Sequence, residues 1–237
     1  MRLLQNQGAT ITGTNGEYHF EDRSAFLEGG VHYVKDQTTL YADKMYLYQD
    51  KTARGIGSVN FHDGLEKRTL KGDDVMYNPD TGFGKIEGNG YLESPDGTLQ
   101  APHIEGNMKQ VKVVATGGVN LSSSLHNAVG YGDQAVYTRT GFNGTDGKLV
   151  LTGNAWVNQN GNSFTGPELV LRDEDKVVET TGRSTIVITN TGSTGSSGGD
   201  SSSGSGSTAP QGPVTAATPI AGRPEEAGSP LEIKDSK

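Results

Sequence analysis

The chain has 237 residues, enough for one β-domain of ordinary size and a tail. Its formal net charge of −8 argues against nucleic acid as a partner, because such binding depends on Lys and Arg side chains that neutralise phosphates. The absence of cysteine excludes disulfide frameworks, zinc ribbons and thiol nucleophiles.

The N-terminal residues 1–20 lack the apolar core of a signal peptide. No run of about 18 apolar residues occurs anywhere in the chain, so the sequence predicts no membrane-spanning helix. The segment "ITGTNGEY" around Gly13 is interpreted as a degenerate first copy of a motif that follows 29 positions later.

That motif is clearest in "LYADKMYL" (40–47), where a small residue and an acid precede an alternating apolar run. The same order returns in "LKGDDVMY" (70–77), "LQAPHIEG" (99–106), "GYGDQAVY" (130–137) and "FTGPELVL" (164–171). The small residues lie 30, 29, 31 and 34 positions apart and are Ala42, Gly72, Ala101, Gly132 and Gly166. A repeat of about 30 residues predicts stacked structural units.

A second element alternates with the first and contains a glycine-rich bend, as in "AFLEGGVHY" (25–33) and "LVLTGNAWV" (149–157). After each bend we align a pair of residues, a small one followed by a large one. In this alignment Trp156 occupies the same position as Val31 and Val119. Turn sequences separate the two elements, and no segment shows helical periodicity. The sequence therefore predicts an all-β fold: an open body of two sheets that enclose a narrow interior.

The column that follows the small residues holds only Asp or Pro, which favours a role at strand edges or turns. Because Pro replaces the acid twice, this column is not predicted to be catalytic. Its members are Asp43, Asp73, Pro102, Asp133 and Pro167.

A change of composition near Thr189 predicts a domain boundary. Residues 190–208 are almost all Gly, Ser, Thr, Asn or Asp, and residues 209–237 hold five of the nine prolines. We expect a folded domain over residues 1–189 and a disordered tail over residues 190–237. The tail has no predicted function of its own, and a tether or spacer is the alternative.

No catalytic or metal-binding motif is present. The five histidines are scattered without ligand spacing, and Asp73 and Asp74 point to opposite faces of a strand. The sequence predicts no enzyme activity, metal or cofactor. Trp156 is expected in the core, with sugar stacking or a lipid channel as alternatives.

The repeated motifs, and "TGNAWVNQNGNSFTGPELVL" (152–171) most of all, resemble the OstA-like family of LptA-type lipopolysaccharide transport proteins over about residues 8–189. This resemblance implies an elongated twisted β-jellyroll that carries the acyl chains of lipopolysaccharide inside it. It also implies a periplasmic location, a role in building the outer membrane, and head-to-tail assembly with itself or with other jellyroll proteins of the family.

Strand alternation selects the candidates for an apolar lipid groove. They are Leu40, Met45, Leu47, Leu70, Val75, Tyr77, Leu99, Ile104, Ala135, Tyr137, Trp156, Phe164, Leu169 and Leu171. Near the groove mouth, Lys44, Lys85 and Lys112 are candidate headgroup contacts by position. Unpaired edges near residues 9–20 and 184–189 are expected to add strands from a partner.

The alternative hypothesis is a β-solenoid or β-sandwich that binds polysaccharide or serves as an adhesion module of the cell envelope. Such a protein would expose Tyr46, Tyr48 and Tyr91 on one flat face. The two hypotheses differ in whether Met45, Val75, Ile104, Ala135 and Leu169 line a cavity between two sheets or fill a tight coil.

Overall fold

The computed structural model describes residues 2–4, 8–65, 67–141 and 144–189, the first three by backbone alone. The predicted tail at residues 190–237 lies outside the described residues, so the domain boundary stays a prediction. Every regular element of the described part is a β-strand, which confirms the predicted fold class. No helix in these ranges is long and apolar enough to cross a membrane.

Fifteen strands follow one another along the chain. They are β1 (Arg2–Leu4), β2 (Thr10–Thr12), β3 (Asn15–His19), β4 (Ser24–Lys35), β5 (Thr38–Leu47), β6 (Ala53–Asp63), β7 (Arg68–Tyr77), β8 (Phe83–Ser94), β9 (Gly97–Asn107), β10 (Lys112–Ser123), β11 (Ala128–Thr138), β12 (Lys148–Gln159), β13 (Asn162–Arg172), β14 (Val178–Thr181) and β15 (Thr185–Val187).

All neighbouring strands are antiparallel and, from β4 to β14, each pairs with the next strand in sequence. At the first end, β2 and β3 pair with different halves of β4. At the last end, β15 and β14 pair with different halves of β13. This meander is not a coil of parallel strands, so the β-solenoid alternative is wrong.

Each long strand pair has a register shift near its middle, where β4, β6, β8, β10 and β12 carry a bulge. Two consecutive residues with positive φ form each bulge, as at Gly88 (69°) and Asn89 (47°). Glycine adopts this backbone without a steric penalty, and Asn is more tolerant of it than most residues. The glycine-rich bends of the sequence are therefore bulges in the middle of long strands.

The bulges fold each strand back over itself. A Cβ placed on Gly55 would lie 3.1 Å from Val59 Cγ1 of the same strand. Four residues of a straight strand span about 13 Å. The two halves of each strand therefore face each other and form two layers of one hydrogen-bonded sheet.

We define layer A as the halves at 31–35, 38–42, 59–63, 68–72, 90–94, 97–101, 119–123, 128–132, 155–159 and 162–166. Layer B comprises the halves at 24–28, 44–47, 53–56, 74–77, 84–87, 103–107, 112–116, 134–138, 148–152 and 168–172. The bulges connect the two layers along one side, which we call the crease. The turns between strands lie on the opposite side of each layer, and the opening between the two sets of turns is called the mouth.

The Asp/Pro column lies at the crease and not at a strand end, so that part of the sequence interpretation is wrong. A side chain on Gly57, Gly88 or Gly153 would overlap the carboxylate of the Asp on the neighbouring strand. Asn89 Nδ2 also donates to Asp73 Oδ2 at 2.9 Å. Asp or Pro thus covers the bulge of the next strand, where the glycine leaves room for it.

Candidate functional site

The inner face between the layers is apolar in two successive rows. The row beside the crease is buried and includes Met45, Val75, Ile104, Ala135 and Leu169, each at most 7% exposed. These five residues form the floor of a cleft, and the surface that a ligand meets is the next row toward the mouth.

That next row is called the mouth row. In layer A the hydrogen-bonded register aligns Tyr33, Leu40, Phe61, Leu70, Leu92, Leu99, Leu121, Gly130, Val157 and Phe164. In layer B it aligns Ala25, Leu47, Ala53, Tyr77, Gly84, Gly106, Val113, Tyr137, Leu149 and Leu171.

The section from β5 to β9 leaves its mouth row accessible and is called the open section. Leu40, Leu47, Leu70 and Leu99 are only half-buried there, and Tyr77 is 39% exposed. The layer B positions Ala53, Gly84 and Gly106 have short side chains or none. Little side-chain volume therefore fills the space beside the large layer A residues.

The section from β10 to β13 is called the closed section because its inner side chains are packed. Leu151, Val157, Leu169 and Leu171 are 0% exposed, and Leu121 is 8% exposed. The layers are in contact: a Cβ on Gly130 of layer A would lie 3.4 Å from Leu151 Cδ1 of layer B. More of the mouth row is buried here than in the open section, although Val113, Leu149 and Phe164 are still half-buried.

Polar contacts cross the mouth of the closed section. Asp173 directly follows β13, and its Oδ1 atom lies 2.7 Å from Nε2 of His126, a residue of the turn after β10. Its Oδ2 accepts the hydroxyl proton of Tyr137 at 2.8 Å. We call these three residues the mouth clasp. Arg139 approaches Asp96 at 3.8 Å, and Gln159 Nε2 donates to the Lys176 carbonyl at 3.4 Å, both also between the layers.

The clasp is largely removed from water. His126 is 6% exposed and its Nδ1 atom has no partner within the described part of the chain. Burial raises the pKa of Tyr137, and its hydrogen bond to the Asp173 carboxylate raises it further. Both effects disfavour the phenolate, so Tyr137 stays a hydrogen-bond donor.

The lip of the open section carries charge on its inner side. Lys35, Asp63 and Arg68 are half-buried and lie one step beyond the mouth row of layer A. Asp63 and Arg68 are paired across β6 and β7. These residues place two cations and one anion where the cleft meets solvent.

The lysines predicted from position lie elsewhere. Lys44 pairs with Glu28 at 3.7 Å, and Lys85 pairs with Glu87 at 2.5 Å, both on the outer face of layer B. Glu87 raises the pKa of Lys85 by a hydrogen bond and by its charge. Lys112 is exposed beside Thr138 at the outer end of β10. The interpretation of these three as cleft contacts is wrong because each lies on the outward phase of its strand.

Thirteen of the fourteen predicted groove residues lie on the inner face, and Trp156 does not. Ala155 and Val157 on either side of it are fully buried, so alternation directs Trp156 outward. Its indole stacks on Tyr131 with ring centroids 5.4 Å apart. The sequence alignment was shifted by one position, because Ala155 and not Trp156 follows the bulge as Val119 does.

The prediction also omitted the inner residues of the bulged strands. Val59, Ile86, Leu92, Val119 and Leu151 lie on the same face as the predicted set. The signal was present in the alternation on each side of the glycine-rich bends. The bulge changes the phase of that alternation, which concealed the match.

Among the described residues, no grouping of three or more His, Cys, Asp or Glu side chains could hold a metal ion. Two titratable networks occur on the outside of layer B. His103 Nδ1 lies 2.9 Å from Glu87 Oε2, and Arg54 forms a double hydrogen bond with Asp74. Neither lies beside the cleft.

Comparison with known proteins identifies the family. Residues 10–177 match the family model described as "LptA/(LptD N-terminal domain) LPS transport protein". The chain is also similar to the crystal structure of LptH, described as "the LptA homologous periplasmic component of the conserved lipopolysaccharide transport device from Pseudomonas aeruginosa". The two share 16% sequence identity, with a TM-score of 0.21. That match covers 77% of this chain and 96% of LptH. No curated protein matches.

The family model spans more than half of the chain. Its members are transport proteins and not enzymes. The chain belongs to the LptA/(LptD N-terminal domain) family of LPS transport proteins.

Proposed function

We propose that this chain is a non-enzymatic periplasmic carrier that binds the acyl chains of lipopolysaccharide in the open section of its cleft. The observation that carries the proposal is the partly exposed mouth row there, where Phe61, Leu92 and Leu99 lie on the same strands as the small residues Ala53, Gly84 and Gly106 of the other layer. An apolar surface that folding leaves accessible favours an apolar ligand.

The energetics favour acyl chains over the headgroup as the main source of affinity. Each buried methylene contributes roughly 0.8 kcal/mol, so a chain of about 12 carbons supplies on the order of 10 kcal/mol before association costs. Lost translational freedom and ordering of the chain offset a large part of this. A protein with a net charge of −8 can therefore bind an anionic glycolipid when its chains are buried and its headgroup stays in water.

The headgroup would lie at the lip of the open section. Lys35 and Arg68 are half-buried on its inner side, where the two cations would lie beside a lipid phosphate. This short-range attraction opposes the repulsion from the overall negative charge. It also fixes the orientation of the lipid, with its chains toward the floor.

Assembly would use the two ends of the sheet. At the last end β14 and β15 follow β13, and Ile186, Val187 and Ile188 are 53%, 55% and 69% exposed. At the first end β3 pairs with β4 and carries Tyr18, which is 39% exposed. Edge strands add strands from a partner, and joining unlike ends gives open head-to-tail chains with itself or with related jellyroll proteins.

Three aromatic residues allow a matched test by photo-crosslinking. Phe61 lies in the mouth row of the open section, Phe164 in that of the closed section, and Tyr91 on the outer face; all three are half-buried. Each is replaced singly by the photo-reactive benzoylphenylalanine, and the purified protein is irradiated with lipopolysaccharide. We expect strong crosslinking at Phe61, weak crosslinking at Phe164 and none at Tyr91.

Phospholipid serves as the competing ligand in the same experiment. Crosslinking at Tyr91 as strong as at Phe61 would contradict binding in the cleft. Crosslinking at Phe61 to phospholipid alone would contradict lipopolysaccharide as the cargo while retaining the site.

A further inference from the structure

The outer face of layer A in the closed section is free of charge. Its first outward row runs across β10 to β13 and consists of Asn120, Tyr131, Trp156 and Thr165 in direct register. The second row, one step closer to the mouth, consists of Ser122, Val129, Asn158 and Ser163. In a chain with 20% charged residues, eight adjacent outward positions without one form a distinct surface.

The turns beside these rows continue the same chemistry. Ser124 and Asn127 follow β10, and Asn160 follows β12; all three are exposed. We call the two rows and these three residues the uncharged patch. An open depression of about 430 Å³ lies on the side of the patch next to the turns, and hydroxyl and amide side chains make up most of its lining.

Hydrogen bonds hold the polar side chains of the patch in place. Asn127 Nδ2 donates to Asn160 Oδ1 at 2.7 Å, and Asn158 Nδ2 donates to Ser163 Oγ at 3.0 Å. An Asn amide has two N–H donors and two acceptor lone pairs, so each keeps capacity for a ligand. The patch thus presents fixed donors and acceptors without a formal charge, which suits the hydroxyl groups of sugars.

The aromatic pair supplies the second element of a sugar site. Tyr131 and Trp156 stack at an interplanar angle of 20°, and Tyr131 is 47% exposed. Aromatic faces carry partial negative charge and attract the weakly positive C–H groups of a pyranose ring. Aromatic rings beside hydroxyl and amide groups therefore complement both faces of an uncharged sugar.

On the other half of layer A, from β4 to β9, the same two outward rows contain charged residues. There His32 and Tyr41 also stack, with centroids 4.2 Å apart, but Lys71 lies 5.4 Å from the Tyr91 ring and Glu93 is exposed in the second row. Tyr41 is 50% exposed, almost as much as Tyr131. The chain therefore contains a second aromatic pair in the same outward row, on the half of layer A whose rows also carry Lys71 and Glu93.

We propose that the uncharged patch binds uncharged sugar residues in the saccharide chain of the lipid whose acyl chains occupy the cleft. This inference rests on the proposed function. The patch borders the mouth through the turns at 124–127 and 160–161, so a saccharide that leaves the neighbouring open section meets it across the lip of layer A. The absence of cations in the patch disfavours phosphate and acidic sugars as its ligands.

The single tryptophan makes the test direct, because Trp156 is the only one in the chain and lies in the patch. The full chain is titrated with the saccharide released from lipopolysaccharide by acid hydrolysis, and tryptophan fluorescence and the heat of binding are measured. We expect a saturable change. Tyr131→Ala and Asn158→Ala should each weaken binding about tenfold, which corresponds to about 1.4 kcal/mol, while Tyr41→Ala should leave binding unchanged.

Lipid A without a saccharide chain separates this inference from the proposed function. It should crosslink at Phe61 and leave Trp156 fluorescence unchanged. If lipid A crosslinks at Phe61 but the released saccharide gives no saturable signal, the patch is not a sugar site and the carrier function stands. If Tyr41→Ala weakens saccharide binding as much as Tyr131→Ala does, the inference is also overturned. If lipid A does not crosslink at Phe61 although the saccharide still binds, the carrier function is overturned instead.

Discussion

The open and closed sections of the cleft are built from the same repeat but differ in how much inner surface they leave accessible. Both have long antiparallel strands, a bulge at the crease and a buried floor row. In the mouth row of the open section Leu70 and Leu99 remain half-buried, whereas in that of the closed section Val157 and Leu171 are fully buried. One repeat can thus serve either as core or as binding surface.

Two local features produce this difference. In the open section three of the five layer B mouth-row residues are small (Ala53, Gly84 and Gly106), whereas in the closed section all four are large: Val113, Tyr137, Leu149 and Leu171. The mouth clasp then joins the layers where the side chains already fill the space. We infer that the closed section supplies stability and the open section supplies the ligand site.

The largest expected effect comes from truncating an inner leucine. Leu171→Ala in the mouth row of the closed section should lower the free energy of unfolding by about 2–5 kcal/mol, because it leaves a cavity in a filled core. Leu70→Ala should cost only about 1–2 kcal/mol, because that side chain is already partly exposed to water. Urea unfolding measures both, and equal losses would contradict the division into two sections.

The bulges should be equally important in both sections. Gly88→Ala and Gly153→Ala should each cost about 2–4 kcal/mol, from positive φ and from overlap with Asp73 or Asp133. Gly30→Ala is the matched control, since it has a φ of 72° and nothing within 4 Å of its Cβ position. It should cost about 1 kcal/mol. Thermal unfolding of the three variants tests whether the crease is uniform.

The clasp predicts a smaller and more local effect. Asp173→Asn should lower stability by about 1–3 kcal/mol, because the carboxylate has buried hydrogen-bond partners in His126 and Tyr137. Hydrogen exchange should rise in β11 to β13 and stay unchanged in β5 to β8. Increased exchange in β5 to β8 instead would show that the clasp does not act on the closed section.

The smallest effect concerns alkaline pH. The folded-state pKa of Tyr137 is raised, so its contribution to stability is complete below the unfolded pKa of about 10 and is lost as pH rises through the folded value. Between pH 9 and pH 11 the wild type should therefore lose more stability than Tyr137→Phe does. Parallel unfolding curves of the two proteins at both values measure the difference, and identical pH dependence would contradict it.

The sequence repeat determined how much of the fold and of the cleft could be predicted. Strand alternation located the inner face, including Met45, Val75 and Leu169, because period-two burial is a local property of the chain. The Asp/Pro column was assigned to strand ends, since nothing local shows that a glycine pair is a bulge within a strand. The same bulge concealed the one-residue shift that places Trp156 outside.

The difference between the two sections was beyond local pattern analysis. Leu92 and Leu121 occupy equivalent positions in the second element of the repeat, yet Leu92 is half-buried and Leu121 is buried, because their exposure depends on which residues lie across the cleft. The clasp joins His126 to Asp173 across 47 positions, and no motif links them. Such contacts follow from the register of many strands and not from any single one.

The most direct test uses single cysteines, which the natural chain lacks. Leu70→Cys and Leu121→Cys place a thiol in the same mouth row, one in each section, and their labelling by a maleimide is timed with and without lipopolysaccharide. Our account predicts rapid labelling at position 70 that lipopolysaccharide suppresses, and slow labelling at position 121 in both conditions. Labelling at position 70 that saturating lipopolysaccharide does not slow would contradict the open section as the lipid site.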